Sequence, residues 1–138
     1  MKVNIKRPFK NYSKPPEISV TVESHDTWNL DVTLAKIISP CLKQLKEQKT
    51  TFPMVDLEDV PKELQPTRDD VTKYNDHGSV DSNFDKRYVY IIDEIIWTFN
   101  RLAESDYDDK AGVELSDVQT RIENGLRLFA KYYLTFWT

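Results

Sequence analysis

The spacing of apolar residues changes along the chain, and each change marks an element. Residues 2–6, KVNIK, and 17–23, EISVTVE, alternate polar with apolar, so Ile18, Val20 and Val22 share one side and Ser19, Thr21 and Glu23 the other. A period of two predicts half-buried strands, here a short hairpin closed across the turn-rich, proline-bearing stretch 10–16. From Asp26 the period lengthens. Leu30, Leu34, Ile37, Ile38, Leu42 and Leu45 recur at helical spacing to about Gln48. Pro40 interrupts this run, removing one backbone hydrogen bond and crowding the carbonyl four residues back. A kinked helix, or two abutting ones, is therefore expected over 26–48.

Between 49 and 82 the pattern dissolves into a loop region. Pro61 there suits the start of a single helical turn over Asp59–Leu64, and the polar, turn-rich stretch 65–82 predicts a long exposed loop. Periodicity returns with FDKRYVYIIDEIIWTFNRL. Phe84, Tyr88, Ile91, Ile92, Ile95, Ile96, Phe99 and Leu102 draw one wide apolar stripe, which predicts a central helix over 83–104 capped by Asn83, Asp81 or Ser82. An acidic connector, 105–115, leads to a C-terminal helix over 116–137 with Val118, Ile122, Leu126, Phe129, Tyr133 and Phe136 on its stripe. Gly125 lies on the same side. Glycine inside a helix costs about 1 kcal/mol relative to alanine, so its presence predicts close approach by a neighbouring helix.

These elements define a single domain, 1–138, of α+β class and predominantly α-helical: a short N-terminal β-hairpin packed on a three-helix core, with a long polar loop. A lone hairpin is marginal in water, so its strands must pack on the helices or pair with another subunit through an open edge.

Composition narrows the function classes. With 138 residues, 39% hydrophobic and 30% charged, the chain suits one soluble globular core. A net charge of −4 disfavours non-specific nucleic-acid binding. The single Cys41 allows no intramolecular disulfide and fits a reducing compartment. No stretch reaches the length of a membrane span, and the basic N-terminus lacks the apolar run of a signal peptide.

Candidate chemistry is sparse. Asp93 and Glu94 sit within the most apolar helix, but consecutive helical residues point about 100° apart and do not converge on one atom. A bundle metal site would add Glu-x-x-His pairs, and none occurs. One of the two acids is therefore expected in solvent and the other paired with Arg121 or Arg127. His25, His77 and Cys41 have no metal-ligand spacing. Asp70, Asp76 and Asp81 near His77 and Gly78 lack the spacing of an EF-hand, and no P-loop, nucleophile elbow or dinucleotide fingerprint is present. No catalytic residue, metal or cofactor is assigned.

The final helix is more suggestive. Arg121, Asn124, Leu128 and Lys131 fall along one stripe, flanked by Arg127 and Tyr132, while Tyr90, Trp97 and Arg101 lie on the polar face of the central helix. Guanidinium and ammonium groups beside aromatic rings can hold a phosphate while a base stacks. Tyr90, Trp97, Arg101, Arg121, Asn124, Arg127, Lys131 and Tyr132 are thus the candidate ligand-binding residues. A solvated face neutralised by Asp93, Glu94 and the connector is the plainer alternative. Trp28, Tyr132, Leu134 and Trp137 fall off the apolar stripes, a surplus that marks a partner surface. A homo-oligomer formed through the last helix or a strand edge is expected.

DTWNLDVTLAKIISPCLKQLKE, FPMVDLEDVP, YIIDEIIWTF and RIENGLRLFAKYYLTFW, in this order from Asp26 to Trp137, resemble a family of small, largely uncharacterised proteins of tailed bacteriophages. The resemblance implies a phage protein made in the host bacterial cytoplasm. It carries over no functional residues. The expected function is that of a non-enzymatic binding protein, engaging a host factor or sequestering a small nucleotide-like ligand such as an immune signal. The alternatives are a structural or assembly homo-oligomer, and a small metal-dependent enzyme or accessory factor of nucleotide metabolism using Asp93 or Glu94.

Overall fold

A computed structural model describes residues 1–6, 16–77, 81–104 and 115–138. The fold is α+β and mostly helical, with a two-stranded antiparallel hairpin at the N-terminus. Strands β1 (Lys2–Lys6) and β2 (Glu17–Thr21) pair in the register Val3↔Val20 and Ile5↔Ile18, so the β-branched side chains meet across one face. That face is not covered by the helices: Val3 is 44% and Ile18 58% exposed. An ion pair between the Met1 amino group and Asp26 ties β1 to the 3₁₀ turn Ser24–Thr27 ahead of the first helix.

Helix α1 (Leu30–Gln48) runs unbroken through Pro40, so of a kinked helix and two abutting ones, the abutting pair is not what forms. The stretch read as a polar loop carries a helix of its own, α2 (Arg68–His77). Its start is a capping box. Asp70 Oδ2 accepts from the Thr67 backbone N–H at 2.9 Å and from Thr67 Oγ1 at 2.7 Å, while the Asp70 N–H donates to Thr67 Oγ1 at 3.3 Å. The reciprocal bonds offset low apolar content at the point where nucleation is costly. Helix α3 is Phe84–Ala103 and α4 is Leu115–Tyr132, followed by a 3₁₀ turn over Tyr133–Thr135. The acidic connector lies almost wholly outside the described residues.

Helix α3 is the central element, packed against α1 on one side and α4 on the other. Ser39 Oγ donates to Asn100 Oδ1 at 2.6 Å and Lys46 Nζ to Asp93 Oδ1 at 2.6 Å. Sequence numbers rise in α1 as they fall in α3, so those two helices are antiparallel. The inner face of α3 supplies Tyr88, Ile91, Ile92, Ile95, Ile96 and Phe99 to the core, as its stripe predicts. Phe52, Val55, Val60 and Leu64 from the segment after α1 close over it. Lys49 locks the C-terminal turn down. Its ammonium donates to the Thr135 carbonyl at 3.1 Å and lies 4.3 Å from the Trp137 ring centre. Tyr88 Oη donates to the same carbonyl at 3.2 Å. Burial, with no carboxylate partner among the described residues, holds the Lys49 amine below its ordinary value.

The inward face of α4 differs from the predicted stripe. Leu126 and Tyr133 are 41% and 58% exposed, whereas Leu128 and Tyr132 are buried. The helix is rotated so that Gly125 meets Thr98. A Cβ on Gly125 would lie 1.8 Å from Thr98 Oγ1 and 2.7 Å from Thr98 Cβ. Gly125→Ala should therefore destabilise the protein by about 2–3 kcal/mol through overpacking, despite the roughly 1 kcal/mol gain in helix propensity. The check is the midpoint of urea unfolding. Thr98→Ala in the same chain should recover only part of the loss, because the Thr98 Cβ remains in the way.

Candidate functional site

The eight candidate residues separate into two groups, one at each side of α4. Tyr90, Trp97, Arg101 and Arg121 occupy the outer ridge between α3 and α4. Arg121 reaches across so that Nε and Nη2 donate to the Glu94 carboxylate at 2.9 and 2.7 Å. Its guanidinium carbon stands 3.9 Å from the centre of the Trp97 ring. This bidentate, stacked geometry is specific to arginine. The Glu94 bonds favour the charged guanidinium and raise its pKa further. Burial, and secondarily the Glu94 charge, raise that of the Tyr90 phenol. Arg101 turns to Glu104, Nη1 to Oε2 at 2.9 Å. The adjacent acids diverge as helical geometry requires: Asp93 takes Lys46 and Glu94 takes Arg121. Neither faces a common atom.

Asn124, Arg127, Lys131 and Tyr132 belong instead to a structural node. Its centre is Asp59, whose side chain is 1% exposed, on the 3₁₀ turn Leu57–Asp59. Asp59 accepts from Arg127 Nη2 at 2.6 Å, Lys131 Nζ at 2.7 Å and the Tyr132 hydroxyl at 2.7 Å. Asn124 Oδ1 accepts from Arg127 Nη2 at 2.9 Å and steadies the guanidinium. The Tyr132 hydroxyl also accepts the Asp56 backbone N–H at 3.0 Å. Tyr132 is therefore not the flanking ligand contact that the sequence suggests. It is buried, and its phenol is pushed up to about 12, by burial first and then by the bond to Asp59. Burial alone would raise the Asp59 carboxyl, but the bonds from Lys131, Tyr132 and Arg127 outweigh it and hold the group below its ordinary value.

The same node contains an acidic cluster that the sequence reading passed over. Oxygen atoms of Asp56, Glu58 and Asp59 lie within 4.8 Å of one another. Lys131 Nζ stands among them, 2.6 Å from Asp56, 3.3 Å from Glu58 and 2.7 Å from Asp59. The chain's own ammonium fills the position a cation would take. The D-x-E-D run in FPMVDLEDVP was the available signal, but its partner is more than sixty residues away.

A cavity of about 270 Å³ opens near the start of α3, lined mainly by Met54, Leu57, Pro66, Val71 and Phe84. Of its three charged members, Asp81 and Arg87 are joined at 2.6 Å and Asp70 is bonded to Thr67, and the rest of the lining is apolar. The mostly helical α+β fold thus carries outer-ridge aromatics, an internally neutralised basic node and a small cavity. No family model, curated protein or solved structure matches the chain.

Removing the Asp59 carboxylate leaves the buried Tyr132 hydroxyl without its acceptor, while Lys131 keeps Asp56 and Glu58 and Arg127 keeps Asn124. Asp59→Ala should cost about 1–3 kcal/mol, the range for leaving a buried polar group unsatisfied, read from chemical unfolding at neutral pH. The folded pKa of Asp59 is depressed relative to the unfolded carboxyl near 3.9, so its stabilisation is fully present above that value. It is lost as the pH falls through the folded pKa. Stability measured from pH 7 downwards should fall less steeply in Asp59→Asn than in the wild type below about pH 4.

Proposed function

We propose that the chain is a non-enzymatic binding protein that engages a protein partner through the outer ridge of α3 and α4. The observation that supports this is the stacked Arg121–Trp97 pair beside Tyr90, with Glu94 already neutralising the guanidinium. Tyr, Trp and Arg are the residues most enriched at binding hot spots, where rigid side chains lose little entropy on association. The charge pattern favours a protein over a nucleotide-like ligand. A phosphate would have to displace Glu94 from Arg121, and Asp56, Glu58 and Asp59 from Lys131 and Arg127. An aromatic or acidic side chain can instead pack on the exposed edges with every ion pair intact. The motif resemblance to phage proteins makes a host factor of an infected bacterium the expected partner.

Truncating a hot-spot residue costs about 2 kcal/mol or more, which corresponds to roughly a 30-fold loss of affinity. Wild type, Trp97→Ala and Arg121→Ala would be compared by quantitative capture from host lysate, then by calorimetry with the captured protein. One protein should be retained by the wild type and lost with both variants, while circular dichroism and melting remain close to wild type. Equal retention by all three would sink the proposal. So would native mass spectrometry showing a nucleotide bound in place of a protein.

A further inference from the structure

Helix α1 is apolar over a wider arc than the core uses. Ala35, Ser39 and Leu42 are buried and Ile38 and Leu45 partly so. Leu30, Leu34 and Ile37 are 38–41% exposed, and Cys41 continues their row into solvent. The row advances by four, three and four residues. That alternation is the heptad spacing with which one helix meets another, side chains interlocking along a seam.

The two ends of the row are complementary in shape. At its N-terminal end stands Trp28, 78% exposed. At its C-terminal end is an open depression of about 440 Å³ lined by Pro40, Cys41, Gln44, Leu45, Gln48 and Thr138. If two such helices lie antiparallel about a two-fold axis, Leu34 falls opposite Ile37 of the other copy and Leu30 opposite Cys41. Trp28, just ahead of the helix, then falls near Gln44 of the other copy, which lines the depression. The arrangement also opposes the two helix dipoles.

We propose that a second copy of this chain covers the α1 row, antiparallel helix against helix, with each Trp28 seated in the partner's depression. The surface is distinct from the α3–α4 ridge, so the proposal stands whether or not that ridge binds a protein. Area sets the strength. Nineteen residues of helix make a strip about 28 Å long and about 10 Å wide, and a tryptophan adds about 200 Å². Each copy thus contributes roughly 500 Å², below the ~800 Å² per partner of a standard interface. An interface of this size belongs to the class of weak, reversible contacts.

Sedimentation velocity of the full chain from about 1 to 500 µM spans the range of a weak, reversible dimer and should show the 16.2 kDa monomer giving way to a species of twice that mass. Leu34→Glu and Trp28→Ala change exposed side chains and should leave the fold intact, as checked by circular dichroism. Each should weaken dimerisation by about 30-fold or more. Leu30→Cys should crosslink to Cys41 of the partner with a short bismaleimide, giving a covalent dimer that the wild type does not form. The proposal is overturned by a wild type that stays monomeric throughout, by a dimer indifferent to Leu34→Glu, or by wild-type Cys41 crosslinking to itself as efficiently as Leu30→Cys.

Discussion

The buried carboxylate of Asp59 constrains the helical body more tightly than any apolar contact. A charge removed from water must be met by donors of good geometry, or its desolvation cost is several kcal/mol. Its three side-chain donors come from α4, at positions 127, 131 and 132. Meeting one carboxylate with all of them fixes both the rotation of α4 and its position along its axis. Leu128 then points inward and Leu126 outward, and Gly125 arrives opposite Thr98. A hydrophobic stripe tolerates rotation by a fraction of a turn, because neighbouring apolar residues substitute for one another. A buried ion pair does not.

The same constraint decides what the basic residues of α4 can do. Lys131 and Arg127 are held against acids of the 56–59 turn. Arg121, a turn and a half nearer the helix start, lies beyond their reach and is met by Glu94 across the α3 boundary. What reads along the sequence as a basic stripe is, in three dimensions, a set of internal neutralisations joining three segments. The surface left over is aromatic and mixed in charge. Such a surface gains most from shape and stacking and least from long-range attraction to an anion.

The sequence made the scaffold of α3 legible because that helix is buried along a continuous arc, and burial is what periodicity records. Every residue of its inner row from Tyr88 to Phe99 lies where the spacing put it. The strands were legible through alternation, although their alternating residues are exposed rather than half-buried as the pattern implied. Helix α2 was missed because it has little apolar periodicity. It depends on the Thr67–Asp70 capping box, whose T-x-x-D spacing was present in a stretch that otherwise reads as turns. The rotation of α4 was missed because the residue that sets it, Asp59, lies in an irregular segment with no periodicity to reveal burial. In the candidate site, one of the two acids was expected to pair with Arg121 or Arg127, and Glu94 meets Arg121, while Asp93, expected in solvent, meets Lys46. The Lys131 node depended on a contact between distant segments, which spacing along the chain does not encode.

The wide apolar arc of α1 follows from how the layer is built. Helix α3 is flanked by α1 and α4, and only its inner side is roofed by the 52–64 segment and the C-terminal turn. A helix at the edge of such a layer needs one apolar row facing α3 and the roof, which Ala35, Ile38, Leu42 and Leu45 provide. A second row at the same pitch lies at the margin of that core, about two-fifths exposed. It raises the free energy of the isolated chain by keeping apolar surface in water. A solvated edge helix would carry polar residues there, as α1 itself does at Lys36, Lys43 and Glu47. Leu30, Leu34 and Ile37 thus keep part of their apolar surface in water. Their heptad spacing is what the proposed helix of a second copy would meet.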